Sequence, residues 1–166
     1  MLCQALPVFV DRRVGLQLGR DSLGGVSHSE WFRMNPLSPQ LKTGTVGELL
    51  VQLRLLQYDV QSVPPHKDTG NDLLAVRGET FRALQVKTTT NGEEFHFDHR
   101  ELMKRAFHIL ALVRLEGEDR ALHLDQCRLY LLRRDEDAKG RFTDLELKAW
   151  ELSERRVAEL FGRPAA

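Results

Sequence analysis

The chain has 166 residues, of which 42% are hydrophobic and 29% charged, and its 24 basic and 24 acidic side chains leave no formal net charge. A protein that coats nucleic acid without specificity usually carries a basic excess, so this balance disfavours that class while leaving room for an enzyme with a local basic groove. The two cysteines, Cys3 and Cys127, exclude a disulfide framework and a four-cysteine zinc site, and no apolar run is long enough for a transmembrane helix.

Residues 1–42 differ in composition from the rest of the chain. After a possible short strand at Val8–Val10 they are rich in glycine, serine and proline, which is typical of loops. The apolar N-terminus is interrupted by Pro7 and followed by charges, whereas a secretory signal would place positive charge first. We therefore expect a poorly ordered arm over 1–42, a folded domain over 43–163 and a cytoplasmic location.

A helix is predicted from Thr43 to about Tyr58. Apolar residues recur there at helical spacing and define one face, made of Val46, Leu49, Leu50, Leu53 and Leu56. Residues 58–63 then alternate in polarity as a strand does, and two prolines end them. The sequence thus predicts a helix followed directly by a strand.

The next two segments, Leu73–Val76 and Phe81–Thr88, flank a Gly-Glu turn and are predicted to pair as a hairpin. The remaining predicted elements are an extended segment, a helix, two buried strands and a last helix, at 95–98, 99–106, 107–115, 127–132 and 153–161. This order indicates an α/β (α+β) domain with a mixed central sheet.

Polar side chains converge on the hairpin. Gln85 and Lys87 share one face of their strand while Val86 points to the other, and Asp72 at the start of the paired strand reaches the same place. Glu48 on the preceding helix is a second carboxylate within reach. Mg²⁺ prefers such oxygen ligands, and a nearby lysine stabilises charge on a phosphate, so the set favours metal-assisted phosphodiester cleavage.

The segments Gly47–Glu48, Asn71–Leu74 and Leu84–Thr88 resemble the PD-(D/E)XK nuclease superfamily. The pattern is most similar to the branch that includes group I intron homing endonucleases and Holliday-junction resolvase-like proteins. Two departures stand out. The acidic residue usual before X-K is replaced by Gln85, which removes one negative charge, and Pro65 lies seven residues before Asp72 rather than next to it.

The resemblance implies a restriction-endonuclease-like αβββαβ core and a DNA endonuclease that uses Mg²⁺ or Mn²⁺. It implies that Asp72, the side chain of Gln85 and the carbonyl of Val86 hold the metal. Lys87 would be the catalytic lysine and Glu48 an accessory acid. Nucleases of this size often cut both strands as homodimers, so a homodimer is a possible assembly.

Each of these residues also has a structural explanation. Glu48 can close a capping box with Thr45 at a helix N-terminus, Asp72 can be a turn residue, and Gln85 and Lys87 can be the solvated face of an edge strand. Only their joint order favours the nuclease interpretation. The alternative functions are a non-catalytic nucleic-acid-binding or regulatory module on the same fold, and an interaction domain of a larger defence or toxin system.

A basic cluster follows the hairpin at helical spacing and is a candidate for weaker contacts with nucleic acid. Its default interpretation is a solvated helix face, and in a nuclease the same side chains would contact phosphates. With the strand threonine, the candidate contacts are Thr88, Arg100, Lys104 and Arg105.

Overall fold

The computed structural model describes residues 38–67, 70–92, 94–118, 121–136 and 141–162. Backbone contacts divide the chain into Met1–Pro36 and Leu37–Ala166, and every described residue belongs to the second unit. The arm expected over 1–42 therefore lies outside the described residues except for its last five. Within the described part, no helix is long and apolar enough to cross a membrane.

The described residues form four helices and seven strands. The helices are α1 (Pro39–Leu56), α2 (His99–Met103), α3 (Asp144–Ala149) and α4 (Glu154–Phe161). The strands are β1 (Gln61–Val63), β2 (Leu73–Arg77), β3 (Thr80–Thr90), β4 (Ile109–Leu115), β5 (Gly117–Glu118), β6 (Ala121–Leu122) and β7 (Arg128–Arg133).

Five strands form one mixed sheet in the order β1-β2-β3-β4-β7, and β5 and β6 form a separate hairpin. Pairing is antiparallel except between β3 and β4, which are parallel and joined through α2. The succession α1-β1-β2-β3-α2-β4 is the predicted αβββαβ order, and the α/β fold class with a mixed sheet is confirmed.

Helices cover both faces of the sheet. One apolar cluster lies between the sheet and α1 and α4, with Val51, Leu55 and Leu160 among its buried members. A second lies on the opposite face around α2 and α3, with Leu102 and Leu147. Successive residues of β4 alternate between the two clusters, with Ile109 and Ala111 in the first and Leu110 and Leu112 in the second, because strand side chains alternate between faces.

Helix α1 begins four residues earlier than the predicted Thr43. Its N-cap is Ser38, whose Oγ accepts a hydrogen bond from the Leu41 amide at 3.2 Å, and a proline follows in the first turn. Thr45 and Glu48 therefore lie inside the helix. The capping-box explanation of Glu48 is wrong, which removes its main structural alternative.

The buried face of α1 also differs from the predicted one. Gly47, Val51 and Leu55 face the sheet together with Leu50, whereas Leu49, Leu53 and Leu56 are exposed. A Cβ at Gly47 would overlap the Thr88 hydroxyl on β3, so the helix approaches the sheet through its smallest residue. A hydrophobic pattern gives such a position no weight, which is why the predicted face was rotated.

Other helix and strand boundaries differ from the predicted ones for local reasons. The strand expected over 58–63 is confined to Gln61–Val63, because Asp59 turns the chain with a φ of 60° after the helix. Residues 95–98 form no strand, and α2 ends at Met103 rather than near 106. Helix α3, which was not predicted, begins with a capping box between Thr143 and Glu146. The last helix begins after Ser153 and ends at Gly162, as predicted.

Candidate active site

The second half of β3 forms an open edge of the sheet. Strand β2 begins at Leu73, which pairs with Leu84, so among the described residues 85–90 have a neighbouring strand only on the β4 side. On the other side of this half-strand, Asp72, which directly precedes β2, forms hydrogen bonds with the backbone of Leu84 and Val86. The open edge is where the predicted site residues meet.

Asp72 is held at this edge by three hydrogen bonds. Its backbone amide donates to the Leu84 carbonyl at 3.0 Å. Its Oδ2 accepts from the Val86 amide at 2.6 Å and from Nε2 of Gln85. The carboxylate is therefore fixed against β3 rather than displayed on an exposed turn, contrary to the structural explanation based on sequence.

Gln85 is almost fully buried, with 2% of its surface exposed. Its Nε2 donates to Asp72, and its Oε1 accepts from Nη1 of Arg105 at 3.2 Å. Arg105, Gln85 and Asp72 thus form a connected chain of polar groups. A buried amide with both ends satisfied fixes its neighbours, because leaving either end without a partner costs about 1–3 kcal/mol.

Glu48 approaches Asp72 from α1. Burial raises the pKa of the Glu48 carboxyl, and the negative charge of Asp72 raises it further. The close contact of Gly47 with Thr88 holds this turn of the helix against β3. Two carboxylates from different elements therefore lie close enough to repel each other, which is an arrangement that a bound cation relieves.

A cleft of about 540 Å³ opens beside Glu48, and neither Asp72 nor Gln85 is among the described residues that line it. Lys87, which is half-buried, and Glu48 both line it, so the predicted lysine and accessory acid share one cavity. The first half of α1, the second half of β3 and the loop after it supply the remaining lining, namely Pro39, Gln40, Thr43, Gly44, Val86, Thr88, Thr89, Thr90, Glu94 and His96.

Of the four predicted nucleic-acid contacts, two lie at or near the cleft and two lie away from it. Thr88 lines the cleft, and its hydroxyl is buried with no hydrogen-bond partner among the described residues. Arg105 reaches the site through Gln85. Arg100 and Lys104 are exposed on or beside α2 and do not line the cleft, and Lys104 pairs with Glu101 at 2.5 Å.

Two side chains of the cleft were not among the predicted site residues. Glu94 and His96 follow β3 in a loop that carries no helical or strand signal strong enough to orient them. His96 belongs to a His-Phe-Asp-His run whose spacing does not match a known metal motif. No sequence pattern predicts that this loop folds back toward Lys87.

The donor set of the edge fits a hard divalent cation. No three His, Cys, Asp or Glu side chains cluster within the described residues, so any ligand set at this edge includes backbone or amide oxygens or water. Asp72 and Glu48 supply carboxylate oxygens. The Val86 carbonyl points to the same open side as its amide, which contacts Asp72. Oxygen ligands with one or two carboxylates and room for water are what Mg²⁺ requires.

Comparison with solved structures finds a similar fold in a bacterial homing endonuclease, I-Ssp6803I. The TM-score is 0.50 and the sequence identity 17%, over 74% of this chain and 91% of that chain. At this identity the likeness shows a shared, nuclease-like fold, as predicted. No protein-family model and no curated protein sequence matches the chain.

Proposed function

We propose that the chain is a Mg²⁺- or Mn²⁺-dependent endonuclease of the PD-(D/E)XK type that hydrolyses phosphodiester bonds in DNA. The observation that carries the proposal is the convergence of Asp72, Glu48 and Lys87 at the open edge of β3. The shared fold with a homing endonuclease supports DNA as the substrate.

Asp72, Glu48 and the Val86 carbonyl would hold the metal at this edge. When bound, a divalent cation neutralises phosphate charge and makes a nearby water more acidic. Asp72 is kept in place by the Val86 amide, so its carboxylate loses little conformational freedom on binding. Glu48 brings a second negative charge, which strengthens attraction for the cation and orients water on the cleft side.

Lys87 would act on the phosphate. Hydrolysis forms a bond between water oxygen and phosphorus and breaks the bond to the leaving sugar oxygen, and negative charge grows on the phosphate during this exchange. The Lys87 ammonium lines the cleft beside Glu48, where it stabilises that charge and orients the attacking water. Lys87 shares one face of β3 with Gln85, so the sheet fixes the position of Lys87 relative to Asp72.

For Gln85 we propose a main role other than the predicted one of metal ligand. As a metal ligand it would use Oε1, and that oxygen accepts a hydrogen bond from Arg105 while Nε2 faces Asp72. Ligation through Oε1 requires the amide to rotate, so that Nε2 faces the Arg105 guanidinium. Two hydrogen-bond donors would then face each other. We therefore propose that Gln85 positions Asp72, with direct ligation as the secondary role.

The test is cleavage of supercoiled plasmid DNA in the presence of Mg²⁺ or Mn²⁺. We expect the wild type to nick the plasmid, Asp72→Asn and Lys87→Met to lose on the order of a hundredfold or more in rate, and chelation to abolish cleavage. Lys148→Met is the matched control, because this exposed lysine on α3 lies outside the cleft and is not a predicted DNA contact. Equal rates in all four proteins would contradict the assignment of the site.

A homodimer would let the two copies cut opposite strands. This part of the proposal is tested by light scattering of the chain with and without DNA. A mixture of nicked and linear product, with linear DNA appearing only after nicks accumulate, would indicate independent monomers instead.

A second candidate function is a non-catalytic DNA-binding module. It is favoured by the Arg105–Gln85–Asp72 chain, in which the amide that replaces the usual acid is fully satisfied without any cation. Calorimetric titration with Mn²⁺ discriminates between the two. Binding that is lost in Asp72→Asn supports the nuclease, and absence of binding with and without DNA supports the module.

A further inference from the structure

A second cavity, of about 450 Å³, lies next to the catalytic cleft. Glu94 lines both, so the two spaces adjoin at this residue. The walls of the second cavity come from the loop after β3, from β4 and from the segment leading into α3, and are formed by Gly92, Glu94, Phe95, Arg114, Arg141, Phe142, Thr143 and Leu147. Neither the predicted site nor the proposed reaction uses this space.

The sheet register places Arg114 near Lys87. Thr89 on β3 pairs with Arg114 on β4, and paired residues of parallel strands present their side chains to the same face. Lys87 is two residues before Thr89 and shares that face. From strand spacing, the Cα atoms of Lys87 and Arg114 are roughly 8 Å apart.

The cavity combines aromatic walls with positive charge. Phe142 is half-buried, and the buried Phe95 ring carries the Arg114 guanidinium at 5.7 Å from its centroid. Among the described lining residues, Arg114 and Arg141 supply two positive charges against the one carboxylate of Glu94. Aromatic rings beside guanidinium groups are the chemistry that binds an unstacked base and its phosphate.

We propose that this cavity is a nucleobase subsite for the nucleotide adjoining the scissile phosphate. The base stacks against Phe142, and Arg114 and Arg141 hold the neighbouring phosphate. The inference rests on the proposed function in that it places the scissile phosphate at Lys87. Because a base must leave the duplex to enter, DNA with an unpaired nucleotide beside the cut is the favoured substrate.

The test measures binding of the full chain in chelator, where no cleavage occurs. Fluorescence anisotropy compares a labelled duplex with one bulged nucleotide, the same duplex with an abasic bulge, and the fully paired duplex. We expect the base-containing bulge to bind about tenfold more tightly than the abasic one. Phe142→Leu, which retains an apolar side chain against Phe97 and Trp150, should abolish this difference.

Charge variants test the phosphate contact. Arg141→Ala should lower the slope of log affinity against log salt by about one while sparing the fold, since Arg141 is exposed. Arg155→Ala is the matched control, because this exposed arginine on α4 pairs with Glu159 and does not line the cavity. It should leave both the salt slope and the preference for a base unchanged.

Two results would overturn the subsite. One is equal binding of base-containing and abasic bulges by the wild type, including no binding of either. The other is an unchanged preference in Phe142→Leu together with an unchanged salt slope in Arg141→Ala. Base-dependent binding without cleavage in Mn²⁺ would refute the nuclease activity and support the subsite. Cleavage without any preference for a base would refute the subsite and support the nuclease activity.

Discussion

Replacing Gly47 by alanine tests whether the close approach of α1 to β3 sets the position of Glu48. The added Cβ would overlap the Thr88 hydroxyl and lie 3.0 Å from both Cβ and Cγ2 of Thr88, where ordinary contacts begin at 3.4 Å. Rotating Thr88 relieves the hydroxyl overlap and leaves the clash with its Cβ. The helix must therefore shift by at least about 0.4 Å, and Glu48 moves with it.

The magnitude follows from two opposing effects. Alanine is about 1 kcal/mol better than glycine inside a helix. Overpacking at a close contact costs about 1–3 kcal/mol. Gly44→Ala is the matched control for stability, because a Cβ at Gly44 in the same helix meets nothing within 4 Å and gains only the helical preference. We expect Gly47→Ala to be less stable than Gly44→Ala by about 1–3 kcal/mol.

The assay is denaturant unfolding of both variants, followed by plasmid cleavage by Gly47→Ala. Displacing a catalytic group by a fraction of an ångström to about 1 Å reduces rates by roughly tenfold to a hundredfold. Thr88→Ala in the Gly47→Ala background removes the hydroxyl and methyl clashes and should restore part of the lost stability. If Gly47→Ala matches Gly44→Ala in stability and cleaves DNA like the wild type, the close contact does not position Glu48.

Three further predictions concern the polar groups. Because the folded-state pKa of Glu48 is raised, its ionised form destabilises the metal-free fold above that pKa. Glu48→Gln should therefore raise Tm at neutral pH, and this gain should vanish below the ordinary glutamate pKa. A gain in Tm that is independent of pH would show that the charge of Glu48 is not what destabilises the fold. Gln85→Glu replaces the amide that contacts Asp72 with a carboxylate, so Tm should fall without metal and rise more steeply with Mg²⁺ concentration than in the wild type. Equal responses of Tm to Mg²⁺ in the two proteins would refute the ligand arrangement. Arg156, 6% exposed, donates a hydrogen bond to the Leu131 carbonyl at 2.9 Å, which ties α4 to β7, and also pairs with Glu136 and Glu159. Arg156→Met should cost about 1.5–3 kcal/mol by denaturant unfolding, and unchanged stability would show that these contacts contribute little.

The hairpin and the last helix were predictable because their signals are local. A short apolar run and a second strand-like run on either side of a Gly-Glu turn specify β2 and β3, and the Ser153 cap and Gly162 terminator bound α4. The site followed from the same logic, since strand alternation alone puts Gln85 and Lys87 on one face. These inferences need no information about distant contacts.

The buried face of α1 and the partner of Gln85 were not predictable in this way. The face depends on how closely Gly47 meets Thr88, and these residues lie on different elements. Arg105 reaches Gln85 across twenty positions of sequence, and no pattern in either segment specifies the pairing. Helix α3 had a visible capping box at Thr143, but its six residues are too few for a helical period to stand out.

The most direct test of the central claim is the anomalous scattering of Mn²⁺ in crystals of the full chain soaked with this ion. We expect one peak at the open edge of β3, ligated by Asp72 and the Val86 carbonyl with Glu48 directly or through water, and lost in Asp72→Asn. DNA cleavage that persists with no peak at this edge, or with the ion bound elsewhere, would contradict it.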